Sequence, residues 1–384
     1  MKELGIYIHI PFCKQKCKYC DFISYSNKEE KIKEYIKALQ KEIQIKLKKY
    51  QKEYLVDTIY LGGGTPSYIE PEKIEDIIKT VKNIIQMKEN VEITIEVNPG
   101  TVTKRKLEIY KNVGINRLSI GLQTTNHERL KQIGRIHTYE MFLETYQMAK
   151  EVGFTNINVD LMIGLPKQRL KEIETDLENI LLLQPNHISI YSLIVEEGTV
   201  LEKELREGKL ILPEEDLERE MYWKVKEILE KNEYEHYEIS NFAKKGYQSK
   251  HNWNCWNQKE YLGFGIAAHS YMNNIRYSNI DNLQEYIEQM QYAEKIEDLK
   301  KIEQIQEVQN KEEKQKEYML LGLRKLKGIS IQEFKKIFLE NPIYLYRKEL
   351  DKLVKEELIE VDLDSIRLSN RGLDLANLVW EEFI

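Results

Sequence analysis

The sequence predicts an α/β chain: an open, partial (β/α)6, TIM-like barrel followed by a C-terminal winged-helix-like α+β domain. Between residues 5 and 193, six short β-branched runs alternate with longer amphipathic stretches rich in Lys and Glu, as consecutive parallel strands require crossover helices. Glycine, proline and polar residues gather directly after those runs, on what would be one rim of the sheet. From Lys311 onward the order changes to helices followed by a short hairpin.

The strand-like runs are Ile6–Ile10, Thr58–Leu61, Ile93–Val97, Leu118–Leu122, Ile157–Ile163 and Ile188–Leu193. Between them Lys31–Leu47, Pro71–Ile85, Tyr139–Val152 and Leu170–Leu183 repeat apolar residues at helical spacing. Right-handed crossovers curl such a sheet into an open barrel. Gly62-Gly63-Gly64-Thr65-Pro66 follows the second run, Asn98-Pro99-Gly100 the third, Gln123-Thr124 the fourth and Gly164-Leu165-Pro166 the fifth. Barrels of this kind carry their chemistry at the C-terminal strand ends.

Beyond residue 195 the pattern reads as an acidic helix over Asp216–Leu229, then a loop-rich segment Tyr234–Tyr277 dense in aromatics, His and Asn, then a polar helical connector over 280–310. Helices at 311–326, 330–339 and 343–357, a hairpin Ile359–Leu368 turning at Asp362-Leu363-Asp364-Ser365, and a last helix complete the chain. The expected division is 1–200 for the barrel, 201–300 for its extension and connector, and 301–384 for the winged-helix-like domain.

A chain of 384 residues with 41% hydrophobic content supports a large core and a smaller second one. The 58 basic and 64 acidic side chains leave a net charge of −6 with both signs interspersed, which argues against nucleic acid as the main partner. Acidic residues at 349, 351, 356, 357, 360, 362 and 364 make the winged module a docking or lid element rather than a DNA reader. With no charged leader and no apolar span of membrane length, the expectation is a soluble cytoplasmic protein. Three of the four cysteines fall within eight residues and Cys255 lies far away, a pattern for a metal site rather than a disulfide frame.

The strongest motif is Cys13-x3-Cys17-x2-Cys20, in the loop after the first strand. Iron–sulfur cubes are normally held by four thiolates, so three leave one iron open, as an open position marks a reactive metal site. A zinc site completed by His9 or Cys255 is the alternative. Gly62-Gly63-Gly64-Thr65-Pro66 offers backbone groups without Cβ atoms to a closely approaching ligand, and lacks the spacing of a phosphate loop. Glu96, Asn98, Gln123, Arg135 and Asp160 are polar groups at or near later strand ends, costly to bury unless they face a polar ligand. Asp160, inside Ile157–Ile163, needs a donor such as a ribose hydroxyl.

In the cysteine spacing and in Tyr19 the chain resembles the radical S-adenosylmethionine (SAM) superfamily. That resemblance implies a radical SAM barrel, a 4Fe-4S cluster on Cys13, Cys17 and Cys20, and SAM on the open iron. Tyr7-Ile8-His9-Ile10-Pro11-Phe12-Cys13, Leu118–Gln123, Gly134–Thr138, Tyr191-Ser192-Leu193 and Tyr237–Ala243 are similar to the coproporphyrinogen-oxidase-like branch. By position, the resemblance implies SAM contacts from Tyr7, Gly63, Gly64, Thr65, Glu96, Gln123, Arg135 and Asp160, with Ile194 and His269 as weaker candidates.

That branch contains oxygen-independent coproporphyrinogen III oxidases and HemW-type haem chaperones. Phe22 stands where the oxidases have a further cysteine, and only twelve residues precede Cys13. His251-Asn252-Trp253-Asn254-Cys255-Trp256 resembles a haem-linked motif of the chaperones but has Cys255 in place of Tyr. The expected function is therefore haem binding, with His251 as candidate ligand, and transfer to haem-acceptor proteins, with any peripheral membrane association arising through those acceptors. The oxidase is the alternative. His251 could instead anchor a loop, and Cys255 could ligate iron, although a small buried hydrophobe is the favoured role for it. Monomer and dimer are both compatible with the sequence.

Overall fold

The computed structural model describes residues 1–384, and its centre is a run of six parallel strands. They are β1 (Lys2–Ile10), β2 (Tyr54–Gly63), β3 (Met87–Val97), β4 (Arg117–Gln123), β5 (Asn156–Ile163) and β6 (His187–Ser192), each paired with the next. The helices between them are α1 (Ile32–Tyr50), α2 (Pro71–Lys82), α3 (Lys104–Val113), α4 (His127–Gln132), α5 (Tyr139–Val152) and α6 (Leu170–Leu181). Their ends are written locally. Thr103 and Thr138 accept a backbone N–H in the first turns of α3 and α5, and Gly114 and Gly153 close those helices at φ 101° and 93°.

Side-chain alternation along each strand separates two surfaces. On β5, Ile157, Val159, Leu161 and Ile163 are fully buried in the apolar core against the helices, whereas Asn158 and Asp160 point to the other face. Residues of that inner parity are polar on several strands: Thr58 and Tyr60, Thr94 and Glu96, Ser119, and His187 and Ser189. The barrel therefore has an oily outside and a polar inside.

The segment expected to be loop-rich, and the connector after it, contain six more strands. After α7 (Val200–Arg206) and α8 (Glu215–Lys231), β7 (Glu235–Glu238) and β8 (Asn241–Ala243) pair antiparallel and extend the β6 edge. Then α9 (Lys250–Trp256) leads to β9 (Tyr261–Phe264), which pairs parallel with β1. β10 (His269–Met272), β11 (Ile275–Asn279) and, after α10 (Leu283–Tyr292), β12 (Glu303–Val308) continue antiparallel from β9. The sheet runs β12-β11-β10-β9-β1-β2-β3-β4-β5-β6-β8-β7. These added strands are three to six residues long, and their identity comes from edges already built rather than from a local period.

A buried polar network fastens α1 to this extension. The Glu42 carboxylate accepts from Gly265 N at 2.8 Å, Asn279 Nδ2 at 2.8 Å and Tyr286 Oη at 2.6 Å, and pairs with Lys46 at 3.0 Å. Both Glu42 and Lys46 are buried, and burial is tolerable because the carboxylate is fully partnered.

One apolar core runs from Leu4 to Ile302, and a separate core of 18 residues spans Tyr318–Phe383, so the C-terminal region packs around its own interior. It comprises α11 (Lys311–Gly322), β13 (Ile329–Ser330), α12 (Ile331–Phe338), α13 (Pro342–Leu345), α14 (Arg347–Lys355), β14 (Ile359–Val361), β15 (Ser365–Leu368), α15 (Asn370–Asp374) and α16 (Ala376–Glu381). The third expected helix is thus two, as is the last, while the hairpin gains β13 as a third strand. This region docks on β7 and α9. Leu326 N donates to Tyr237 O at 3.1 Å, Ile239 N to Arg324 O at 3.1 Å, and the Arg324 guanidinium lies over the rings of Trp256 and Trp380 at 4.4 and 5.4 Å. No helix is long and apolar enough to cross a membrane.

Candidate functional site

The C-terminal ends of β1 to β6 open into a cavity of about 380 Å³. Cys13, Cys17 and Cys20 line it, and so do Gly63, Gly64, Thr65, Glu96, Gln123, Arg135 and Asp160. The cysteine loop is held by backbone bonds on several sides: Cys13 N to Tyr25 O at 2.9 Å, Lys18 N to Ile133 O at 3.0 Å, and Leu201 N to Lys18 O at 2.9 Å. The end of β2 is stitched to the same loop by Gly64 N to Ile10 O and Thr65 N to Phe12 O, both 2.9 Å. A Cβ on Gly64 would lie 3.0 Å from the Cys13 sulfur, so the glycine run forms a cradle that side chains would fill.

No three His, Cys, Asp or Glu side chains converge closely enough to hold a single ion. The three thiols instead share the lining of one cavity, where a group larger than a single ion could be bound. Burial raises the Cys13 thiol and pushes Cys20 up to about 11, so these groups would have to give up protons to ligate a metal. The zinc alternative loses both of its extra ligands. The two ring nitrogens of His9 are engaged by Tyr7 Oη at 3.0 Å and Ile23 O at 2.8 Å. Cys255 sits in α9, where its neighbours Asn254 and His251 bond Asp57 and Thr58 near the start of β2, at the far end of the strands.

The carboxylate of Glu96 accepts from Tyr60 Oη at 2.9 Å and Gly63 N at 3.2 Å, and burial pushes it up to about 7. A carboxyl poised there can take a ligand ammonium as its counter-ion. Asp160 does not depend on a ligand for donors. Asn158 Nδ2 at 2.7 Å and Ser119 Oγ at 3.1 Å already reach it, while burial raises its carboxyl above the usual range. Arg135 donates through Nη1 to Asn98 Oδ1 and through Nη2 to Tyr19 Oη, both at 2.9 Å, and its buried Nε–H has no partner. An unpartnered buried guanidinium N–H is costly and marks a place for an anionic group. Gln123 takes a left-handed conformation at φ 74° where β4 ends.

Several expected residues are not brought to this cavity. Tyr7 lies deeper in the barrel, bonded to His9 and stacked on Tyr60 at 6.3 Å between ring centroids. Ile194 is 66% exposed, and His269 is exposed on β10. His251 is buried: its Nδ1 meets Thr58 Oγ1 at 2.9 Å, its ring stacks on Tyr60 at 5.3 Å, and burial pushes it down to about 4. Cys255 is half-buried, with its thiol raised to about 11 by burial. The cavity also uses Tyr60, Ser119, Met162 and Tyr191, which were not singled out as site residues. For Ser119 and Met162 the signal was present, because they share strand parity with Gln123 and Asp160.

A six-strand parallel barrel with three loop thiols facing a glycine cradle defines a radical SAM protein, and the radical SAM superfamily matches residues 7–180. The HemN C-terminal domain family matches residues 309–375. Among solved structures, coproporphyrinogen III oxidase (HemN) from Escherichia coli superposes over all of this chain and 90% of its own with a TM-score of 0.86, at 22% identity, which shows a shared fold. The "Heme chaperone HemW" of Lactococcus lactis is 35% identical over 383 residues, covering 100% of this chain and 98% of that protein. That of Bacillus subtilis is 36% identical across 98% of each chain, and that of Escherichia coli 37% identical across 70% of each. The chain belongs to the HemW family.

Proposed function

We propose that the chain is a haem chaperone that holds a 4Fe-4S cluster on Cys13, Cys17 and Cys20, binds SAM beside it, and passes haem to acceptor proteins. The observation that carries the cofactor half is the shared cavity, in which three thiols, the Gly63–Thr65 cradle, Glu96 and the free Nε–H of Arg135 face one another. When bound, the cluster would supply an electron and an iron with an open position for SAM. Glu96 would accept a hydrogen bond from the SAM amino group, Arg135 would donate to its carboxylate, and Asp160 would accept from ribose with the lone pairs that Asn158 and Ser119 leave free.

The haem half is supported by end-to-end similarity to relatives that carry the haem-chaperone name. It is also supported by Phe22, which is 63% exposed on the cavity lining and puts a ring where the oxidases have a thiol. His251 remains the candidate haem ligand, and the packing sets a condition on it. Thr58 and Tyr60 cover the ring, so ligation requires α9 to move.

Anaerobically reconstituted protein tests both halves. The expected outcome is about four irons per chain, a cluster spectrum that changes with SAM, a haemin Soret shift that weakens in His251→Ala, and no decarboxylation of coproporphyrinogen. Product accumulating over many turnovers, with only weak haemin association, would replace the chaperone reading by the oxidase one.

A further inference from the structure

The polar groups behind the cysteine loop form a hydrogen-bonded chain with one direction. Arginine has donors only, so the 2.9 Å contact from Arg135 Nη1 makes Asn98 Oδ1 the acceptor and leaves the amide nitrogen on the other side. That nitrogen lies 2.9 Å from Thr65 Oγ1 and donates to it. With a lone pair of its hydroxyl so engaged, Thr65 turns its own proton toward Cys13 Sγ, 3.4 Å away. The starting point is held in place, because the other arm of the guanidinium donates to Tyr19 Oη at 2.9 Å. Thr65 is itself anchored by its backbone N–H on Phe12 O, one residue before the cysteine it faces.

We propose that Arg135, Asn98 and Thr65 are a one-way hydrogen-bond relay that delivers a proton donor to the Cys13 sulfur and raises the reduction potential of the cluster held there. This rests on the cluster assignment above. One-electron reduction adds a negative charge that the thiolate sulfurs share, and a donor on one sulfur stabilises the reduced state more than the oxidised one. The positive end of the relay, on the cavity wall, strengthens that effect through polarised neighbours. Asn98 touches no thiol. It acts as a positioning residue, choosing which way the Thr65 hydroxyl points.

The test is a dye-mediated redox titration, with dithionite as reductant, of reconstituted wild type, Thr65→Val, Thr65→Ser, Asn98→Asp and the Thr65→Val/Asn98→Asp double variant, with iron counted in each. Thr65→Val should move the midpoint to more negative potential and Thr65→Ser should restore it. Asn98→Asp should also move it down, since a carboxylate accepts from Arg135 and Thr65 alike and draws the hydroxyl proton off the sulfur. In the double variant the shift should be smaller than the sum of the two, because the part of Asn98→Asp that acts through the hydroxyl is lost with it. Fully additive shifts would make Asn98→Asp a plain charge effect and overturn the relay, as would a Thr65→Val midpoint equal to wild type. If Thr65→Val holds fewer irons than wild type, resonance Raman spectra in H2O and D2O decide the matter. Asn98→Asp should lose part of the deuterium shift of the Fe–S(Cys) modes, and a shift equal to wild type overturns the relay. Wild-type protein without about four irons overturns the cluster assignment and the relay together.

Discussion

Gly64 and Cys13 meet with no room for a side chain between them: a Cβ on the glycine would sit 3.0 Å from the cysteine sulfur and 2.9 Å from the Ile10 carbonyl oxygen. Backbone atoms cannot yield as a flexible side chain can, so Gly64→Ala must push Cys13 out of place or part β1 from the end of β2. The expected outcome is reconstituted protein with well under the wild-type iron content but an unchanged far-ultraviolet circular dichroism spectrum, because the strands themselves are held by an extensive core. Wild-type iron loading in Gly64→Ala would show that the cysteine loop adapts.

Glu96 gives the ligand-free protein a stability term that falls with rising pH. Its carboxyl stands at about 7 in the folded chain against an ordinary 4.5, chiefly because it is buried. Between those values the folded state keeps a proton that the unfolded chain has lost, so stability declines as pH rises through the window. The melting temperature of Glu96→Gln minus that of wild type should increase from about pH 4.5 to pH 7 and level off above. A difference that stays flat with pH would mean that Glu96 is ionised throughout.

His251 acts with the opposite sign. Burial holds it at about 4, below an ordinary 6.5, so on acidification the unfolded chain takes up a proton that the folded one refuses. The stabilising contribution is complete above pH 6.5 and disappears as pH falls toward 4. Asn at this position keeps a polar partner for Thr58 without the titration. Wild type minus His251→Asn should therefore be largest above pH 6.5 and shrink toward pH 4, measured by thermal melts of cluster-free protein. A constant difference would place the ring in contact with solvent.

Lys46→Met leaves the Glu42 carboxylate buried without its cation. Removing one partner of a buried ion pair costs about 3–5 kcal/mol, and chemical denaturation should show a loss of that order. Adding Glu42→Gln should recover part of it, since the amide carries no charge and keeps an acceptor for Gly265, Asn279 or Tyr286. A Lys46→Met protein as stable as wild type would mean that the three donors alone satisfy the carboxylate.

The parallel strands were legible because each is a run of β-branched residues flanked by helical periodicity, and both are local properties of the chain. Alternation along Asn156–Ile163 also carries the division into a polar inner and an apolar outer face, most plainly at Asp160. The partners of that residue were not legible. Asn158 is two positions away on the same strand, but Ser119 reaches Asp160 from β4 only once β4 and β5 are in register. The short strands from Glu235 to Val308 escaped for a related reason. A four-residue strand such as Tyr261–Phe264 has no period of its own and is selected by the open edge of β1.

Chain order alone thus specified six βα units, the cluster of three thiols in the loop after β1, and the glycine cradle at the end of β2. Spacing within a loop and periodicity within a helix need no distant partner. Folding decided everything that depends on convergence: that Arg135, Asn98, Thr65 and Cys13 line up in one hydrogen-bonded row, that Tyr7 lies beneath the cavity rather than on it, and that His251 is closed in behind Thr58 and Tyr60. These residues come from different strands, helices and loops. Their distances are set by strand register and by the packing of α9 and the C-terminal region against the barrel, which are sums of many long-range contacts that no short stretch of sequence contains.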